Sequence, residues 1–225
     1  MKSSGNALIY VLIAVILLGA LSFAISRSSD SNPNAEISDA AAKAAATSIL
    51  AYEAEAKMAV NQMIQNGTKL TDINYMMPWE PTFNDAPTVN KLFHPDGGGL
   101  QWKGFTPSIF RSNGSPAPGY NLSNAYNGYY VGRFNNVAWT PTSNRDVIFT
   151  AYAVKPEICA ELNRKVAGIT ATYGVGAGES PRRLFVQNAY HTGGWNDITT
   201  TTCPDCADRS ALCVANTFYS VLIAR

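Results

Sequence analysis

Two histidines, four cysteines and a scatter of aspartates carry most of the chemistry that this chain could perform. A nucleophile needs a base poised by a third group. The available bases of that kind are His94 and His191, and no G-x-S-x-G, H-E-x-x-H or paired-carboxylate motif accompanies either. His94 opens the run His94-Pro95-Asp96-Gly97-Gly98-Gly99. Glycines after Pro-Asp predict a turn that reaches positive φ. A phosphate-cradling loop would continue into Gly-Lys-Ser/Thr and a helix start, and neither follows. His94 therefore reads as a hydrogen-bonded structural residue. Asp96, Asp197, Asp205 and Asp208 offer oxygen ligands, but they lack the alternating spacing of a calcium loop. The expectation is a chain without catalytic residues, cofactor or bound metal.

The cysteines are Cys159, Cys203, Cys206 and Cys213. An even count gathered near the C terminus of an exported domain predicts two disulfides. Four cysteines allow three pairings. The pairing expected here is Cys159 with Cys203 and Cys206 with Cys213. The rival is a zinc site, because Cys203-Pro-Asp-Cys206 has C-x₂-C spacing. A zinc ribbon needs a second such pair, which Cys159 and Cys213 do not form. A thioredoxin-like role for the same motif lacks the preceding strand.

These residues must be positioned by a framework that the hydrophobic pattern partly reveals. Glu36 to Gln65 predicts an amphipathic helix, capped by Ser38 or Asp39 and stopped by Asn66-Gly67. Its apolar stripe is expected at Ala41, Ala45, Ile49, Tyr52, Ala56, Ala59 or Val60, and Met63. Pro78, Pro81, Pro87 and Pro95 exclude a long helix from residues 67–99. Met76-Met77-Pro78-Trp79 and Phe83 are expected to anchor that loop, as buried aromatic rings usually do. Strands are expected at Leu100 to Phe105, within Tyr129 to Trp139, at Arg145 to Val154, at Leu184 to Tyr190, and at Thr217 to Ala224. A short helix should start at Pro156, present Ile158, Leu162 and Val166 to the sheet, and close at Gly168. Residues 170–181 are glycine-rich, His191 to Trp195 turns the chain, and 199–213 is expected to be a cysteine-bearing loop.

Ahead of all this lies Ala7 to Ile25, ALIYVLIAVILLGALSFAI, which holds no charge. As a helix at about 1.5 Å per residue it measures roughly 29 Å, close to the ~30 Å hydrocarbon core of a bilayer. The run is longer than the apolar core of an ordinary secretory signal, although Ser22-Phe23-Ala24 is a small-x-small site. A plain uncleaved anchor is the second reading. Lys2 on one side and Arg27, diluted by Asp30, on the other leave a small positive-inside bias. That bias and the cysteines place the leader in the cytoplasm and residues 28–225 outside.

Charged residues make up 15% of the 225, below the ~25% typical of soluble domains. The net charge of +1 gives no electrostatic case for nucleic acid. Abundant Tyr, Asn, Thr, Ser and Gly fit a turn-rich exported domain. The fold class expected is α+β: an N-terminal membrane helix, an amphipathic helix packed on an antiparallel β-sheet, and a disulfide-bearing C-terminal loop.

Met1-Lys2-Ser3-Ser4-Gly5 is a short polar leader that ends in glycine directly before the apolar run. It resembles the class III leader of type IV pilins and pseudopilins, which a prepilin peptidase cuts after glycine. The resemblance implies cleavage between Gly5 and Asn6. It departs from the family at Asn6, where Phe, Met or Leu is usual, and at Tyr10, where a Glu is usual. The leader and run, the HPDGGG turn, Cys159-x-x-Leu162-Asn163 and the ending Phe218-Tyr219-x-Val221-Leu222-Ile223-Ala224-Arg225 also resemble an uncharacterised proteobacterial family of membrane-anchored proteins with a pilin-like N terminus. The resemblance implies a leader at 1–5, a transmembrane and assembly helix at 6–27, a linker at 28–35 and a pilin-like head at 36–225. Its expected partners are the lipid bilayer, like subunits or other pilin-like proteins, and a prepilin peptidase, with no nucleic acid. Its expected site is the inner membrane with the head in the periplasm, or an extracellular filament. The alternatives are a membrane-tethered domain that binds a glycan or protein, and, last, an exported hydrolase.

Overall fold

A computed structural model describes residues 37–111, 127–171, 173–186 and 198–225, all within one unit, Asn34–Arg225. The leader residues Gly5 and Asn6, the apolar run, the linker to Asn34, and His191, Trp195 and Asp197 lie outside the described residues. Among the described residues, no helix is long and apolar enough to cross a membrane.

Helix α1 spans Asp39–Gln65. The Ser38 hydroxyl accepts from the Ala41 N–H at 3.3 Å and caps its start. At its end Gly67 takes φ +94°, and the N–H groups of Gly67 and Thr68 donate to the carbonyls of Ile64 and Met63. That pair of bonds is a Schellman cap, which requires a residue tolerant of positive φ. The buried face carries Ala42, Ala46, Ile49, Tyr52, Ala56, Ala59, Val60 and Met63. The expected Ala41 is exposed instead, and Ala45 is only half-buried. Stepping back three or four from Ile49 reaches alanine at either choice, so residue type could not select between them.

Four strands follow: β1 (Gly128–Arg133), β2 (Val147–Tyr152), β3 (Ala211–Val214) and β4 (Thr217–Ile223). They form one antiparallel sheet in the order β1-β2-β4-β3. Helix α2 (Pro156–Ala167), the short helix α3 (Pro181–Phe185) and a 3-10 turn at Thr88–Asn90 are the other helical elements among the described residues. The fold is therefore α+β, with the expected α1 and α2 and with β2 and β4 at the centre of the sheet. Both faces of the sheet are covered, so β2 and β4 are buried along almost their whole length, with Thr150, Thr217 and Ser220 as their buried polar members. On one face Val147, Phe149, Ala151, Phe218 and Leu222 join the buried side chains of α1 and α2. On the other, Ile148, Tyr219 and Val221 join Leu184 and Phe185 of α3. Tyr52 links α1 to the first face: its ring meets Tyr129 edge-on at 4.9 Å and Phe149 at 5.8 Å.

Three expected elements differ. Leu100 to Phe105 is not a strand. It is held to α1 by side-chain contacts, as where the Tyr52 hydroxyl donates to the Gln101 carbonyl at 2.9 Å. The strand expected from Leu184 is helix α3 through Phe185, started by Ser180-Pro181, with the Ser180 hydroxyl accepting from the Arg183 N–H; residues 187–190 lie outside the described residues. The cysteine-bearing loop contains β3, which turns into β4 through Ala215 and Asn216, both at positive φ. That two-residue turn has the form of a type I′ hairpin without its usual glycine.

Candidate functional site

The HPDGGG segment folds back on residues 91–93. The N–H groups of Gly97 and Gly99 donate to the His94 carbonyl, and that of Gly98 donates to the Lys91 carbonyl. All three are consumed inside the protein, so none is left to cradle a phosphate. The glycines are there for close approach: a Cβ on Gly97 would fall 2.1 Å from the Lys91 carbonyl oxygen, and on Gly98 2.5 Å from that of Leu92. His94 Nδ1 accepts from the Asp96 N–H at 3.2 Å, and its ring packs on Phe83 at 5.2 Å. Its nearest carboxylate, Asp96, lies in the same exposed turn. Among the described residues, no group of three or more His, Cys, Asp or Glu is arranged to hold a metal ion.

The cysteines form two disulfides, but in a different pairing from the expected one. Cys159 of α2 is bonded to Cys213 of β3, and Cys203 is bonded to Cys206. The sheet dictates this. Cys159 and Cys213 lie on the face covered by α1 and α2, whereas Cys203 and Cys206 lie in the cluster on the opposite face. A bond from Cys159 to Cys203 would have to pass through the sheet. The same separation keeps the four sulfurs from converging on one zinc ion.

Two buried ionic groups carry no sequence signal and act as posts. Lys91 is buried, and its ammonium donates to the carbonyls of Thr82 and Phe83 at 2.7 Å and also to that of Asp85. Asp146 is fully buried and accepts from the N–H groups of Val137 and Arg225, each at 2.8 Å, and from the Thr140 hydroxyl at 3.1 Å. It ties the 137–140 turn to the C-terminal residue. Burial holds its carboxyl above the ordinary aspartate range, although the hydrogen bonds pull the other way.

The exposed chemistry is aromatic. Trp79 is 47% exposed and Phe105 42%. Trp79 meets the half-buried Trp102 edge to face, with centroids 4.4 Å apart. Of the residues expected to anchor that loop, Met77 and Phe83 are buried, whereas Trp79 is exposed. Next to Trp102, Lys103 sits 4.3 Å above the Tyr52 ring and pairs with Glu55 at 3.2 Å. An outward indole beside a fixed second indole suits stacking against a sugar ring or an apolar side chain.

No family model, curated protein or solved structure matches this chain.

Proposed function

We propose that this chain is a structural, non-catalytic subunit of the type IV pilin-like or pseudopilin-like kind. It would assemble through its apolar N-terminal segment in a bacterial envelope or surface filament. The observation that carries the reading is the uncharged Ala7–Ile25 stretch placed directly after a polar leader ending at Gly5. The α+β head, with its long N-terminal helix and C-terminal disulfides, is compatible with such a subunit. In this reading the apolar helix leaves lipid for a bundle of like helices, which replace acyl-chain contacts with side-chain packing. Partners would be the bilayer, like subunits and a prepilin peptidase.

N-terminal sequencing of the protein extracted from membranes tests this. A mature chain that begins at Asn6 supports the proposal. A chain that begins near Ile25 has lost the apolar segment and overturns it. A chain that begins at Met1 favours the second reading, a monomeric membrane-tethered binding domain for a glycan or protein. The outward face of Trp79 is the observation on the side of that second reading.

A further inference from the structure

A cleft of about 320 Å³ opens where β2 ends and β4 begins, roofed by Pro181 at the start of α3. Its walls come from parts of the chain far apart in sequence: Arg111, Tyr152 and the Ala215–Thr217 turn. The pairing of Ala151 with Phe218 puts Tyr152 and Thr217 side by side. Strand alternation then puts both on the face that carries Ile148 and Tyr219, the face covered by α3.

The walls are held in place before any ligand arrives. The Arg111 N–H donates to the Ala153 carbonyl at 2.9 Å, and the Val154 N–H to the Asn216 carbonyl at 2.8 Å. The Ala215 N–H donates to the Tyr173 carbonyl at 2.7 Å. Ala153, Ala215 and Asn216, the non-glycine residues at positive φ among those described, all border this cleft. Such backbone persists only where its surroundings over-determine it.

The lining is rich in donors. Thr217 is fully buried, and its hydroxyl has no hydrogen-bond partner among the described residues. A buried hydroxyl left unpaired is costly, and a ligand oxygen would relieve it. Arg111, Asn216 and Tyr152 also line the cleft, each bearing a donor, and burial pushes the Tyr152 phenol above its ordinary range. Arg182 is near enough to act electrostatically on Tyr152. No carboxylate is among the described lining residues, and the neighbouring Glu179 faces Arg183 at 3.7 Å. Guanidinium and hydroxyl groups lining one cleft are donors of the kind a planar carboxylate accepts from.

We propose that this cleft, bounded by Arg111, Tyr152 and Thr217, is a binding site for a small carboxylate-bearing molecule. The site belongs to the head itself and stands whether or not the chain forms filaments.

The test uses the full chain in detergent micelles, oxidised, with acetate and citrate as probes and acetamide as the neutral control. Amide NMR shifts at Asn216 and Thr217 should saturate with either carboxylate. Arg111→Gln should weaken binding by about tenfold or more, the loss expected for one charged hydrogen-bonding partner. Arg111 is exposed, so this variant should keep its fold; Thr217→Val should weaken binding by a smaller factor. The proposal is overturned by the absence of saturable shifts at these amides, by undiminished binding in Arg111→Gln, or by acetamide binding as tightly as acetate. Inorganic phosphate binding in preference to both carboxylates would also overturn the assignment of ligand class.

Discussion

The side chain of Asn163 pairs with both backbone groups of Cys213. Its Oδ1 accepts from the Cys213 N–H at 2.6 Å, and its Nδ2 donates to the Cys213 carbonyl at 2.8 Å. Cys213 lies on β3, one of the two edge strands of the sheet. The amide of one asparagine thus does for this edge what a further strand would do. Asn163 is fully buried on α2, four residues after Cys159, whose sulfur is bonded to Cys213. One strand residue is therefore held covalently and by hydrogen bonds from the same helix.

Removing that amide leaves a buried donor and a buried acceptor without partners. Each costs on the order of 1–3 kcal/mol when orphaned. Asn163→Ala should lower unfolding stability by about 2–4 kcal/mol, read from urea denaturation of the oxidised protein. Asn163→Asp should also destabilise, because a carboxylate accepts from the Cys213 N–H but cannot donate to its carbonyl.

The two disulfides should contribute unequally. The Cys159–Cys213 bond spans 54 residues and the Cys203–Cys206 bond spans 3. Loop-closure entropy assigns roughly 4 kcal/mol to the first and about 2 kcal/mol to the second. Paired Cys→Ser substitutions, compared by denaturant midpoint, should show that order. Peptide mapping under non-reducing conditions should recover 159–213 and 203–206 linked peptides, with no 159–203 species.

What the sequence revealed and what it hid divide along one physical line. β2, β4 and α2 were legible because each carries its own punctuation. β2 and β4 are runs rich in β-branched and aromatic residues, and α2 runs from Pro156 at its first turn to Gly168 at φ +70°. β3 is four residues long and its turn contains no glycine, so nothing local marks it. Leu100 to Phe105 has strand-like residues, but the sheet offers it no partner. The disulfide pairing depends on which side of the sheet each sulfur falls, a tertiary fact that no spacing encodes. The cleft at Arg111, Tyr152 and Thr217 was hidden for the same reason. Thr217 reads as the first residue of a strand, and only the seat of α3 against that end of the sheet turns it into a lining.

Asp146 predicts a pH dependence whose sign follows from burial. Its folded carboxyl holds the proton more tightly than the unfolded chain does. Folding therefore takes up a proton in the window above the ordinary aspartate value, and this group's contribution to stability falls as pH rises through it. Asp146→Asn should remove that contribution. Denaturant midpoints measured from about pH 4 to pH 6 should fall more steeply, or rise less, for the native protein than for the variant. Identical slopes would show that Asp146 titrates like a solvated carboxyl.

The two tryptophans that meet edge to face make a final contrast. Trp79 is 47% exposed, whereas Trp102 is half-buried and lies beneath Gly104, where an added Cβ would sit 3.0 Å from its ring. Trp102→Ala should cost stability, on the order of 3 kcal/mol, because a packed ring leaves a cavity. Trp79→Ala should change stability by less than about 0.5 kcal/mol, as exposed sites do. If Trp79 has a job, it lies outside the fold. Trp79→Ala should then lose retention on a glycan or peptide array at an unchanged denaturant midpoint. Equal retention by the variant would remove the aromatic surface from the case for a binding role and leave the Arg111 cleft as the head's candidate ligand site.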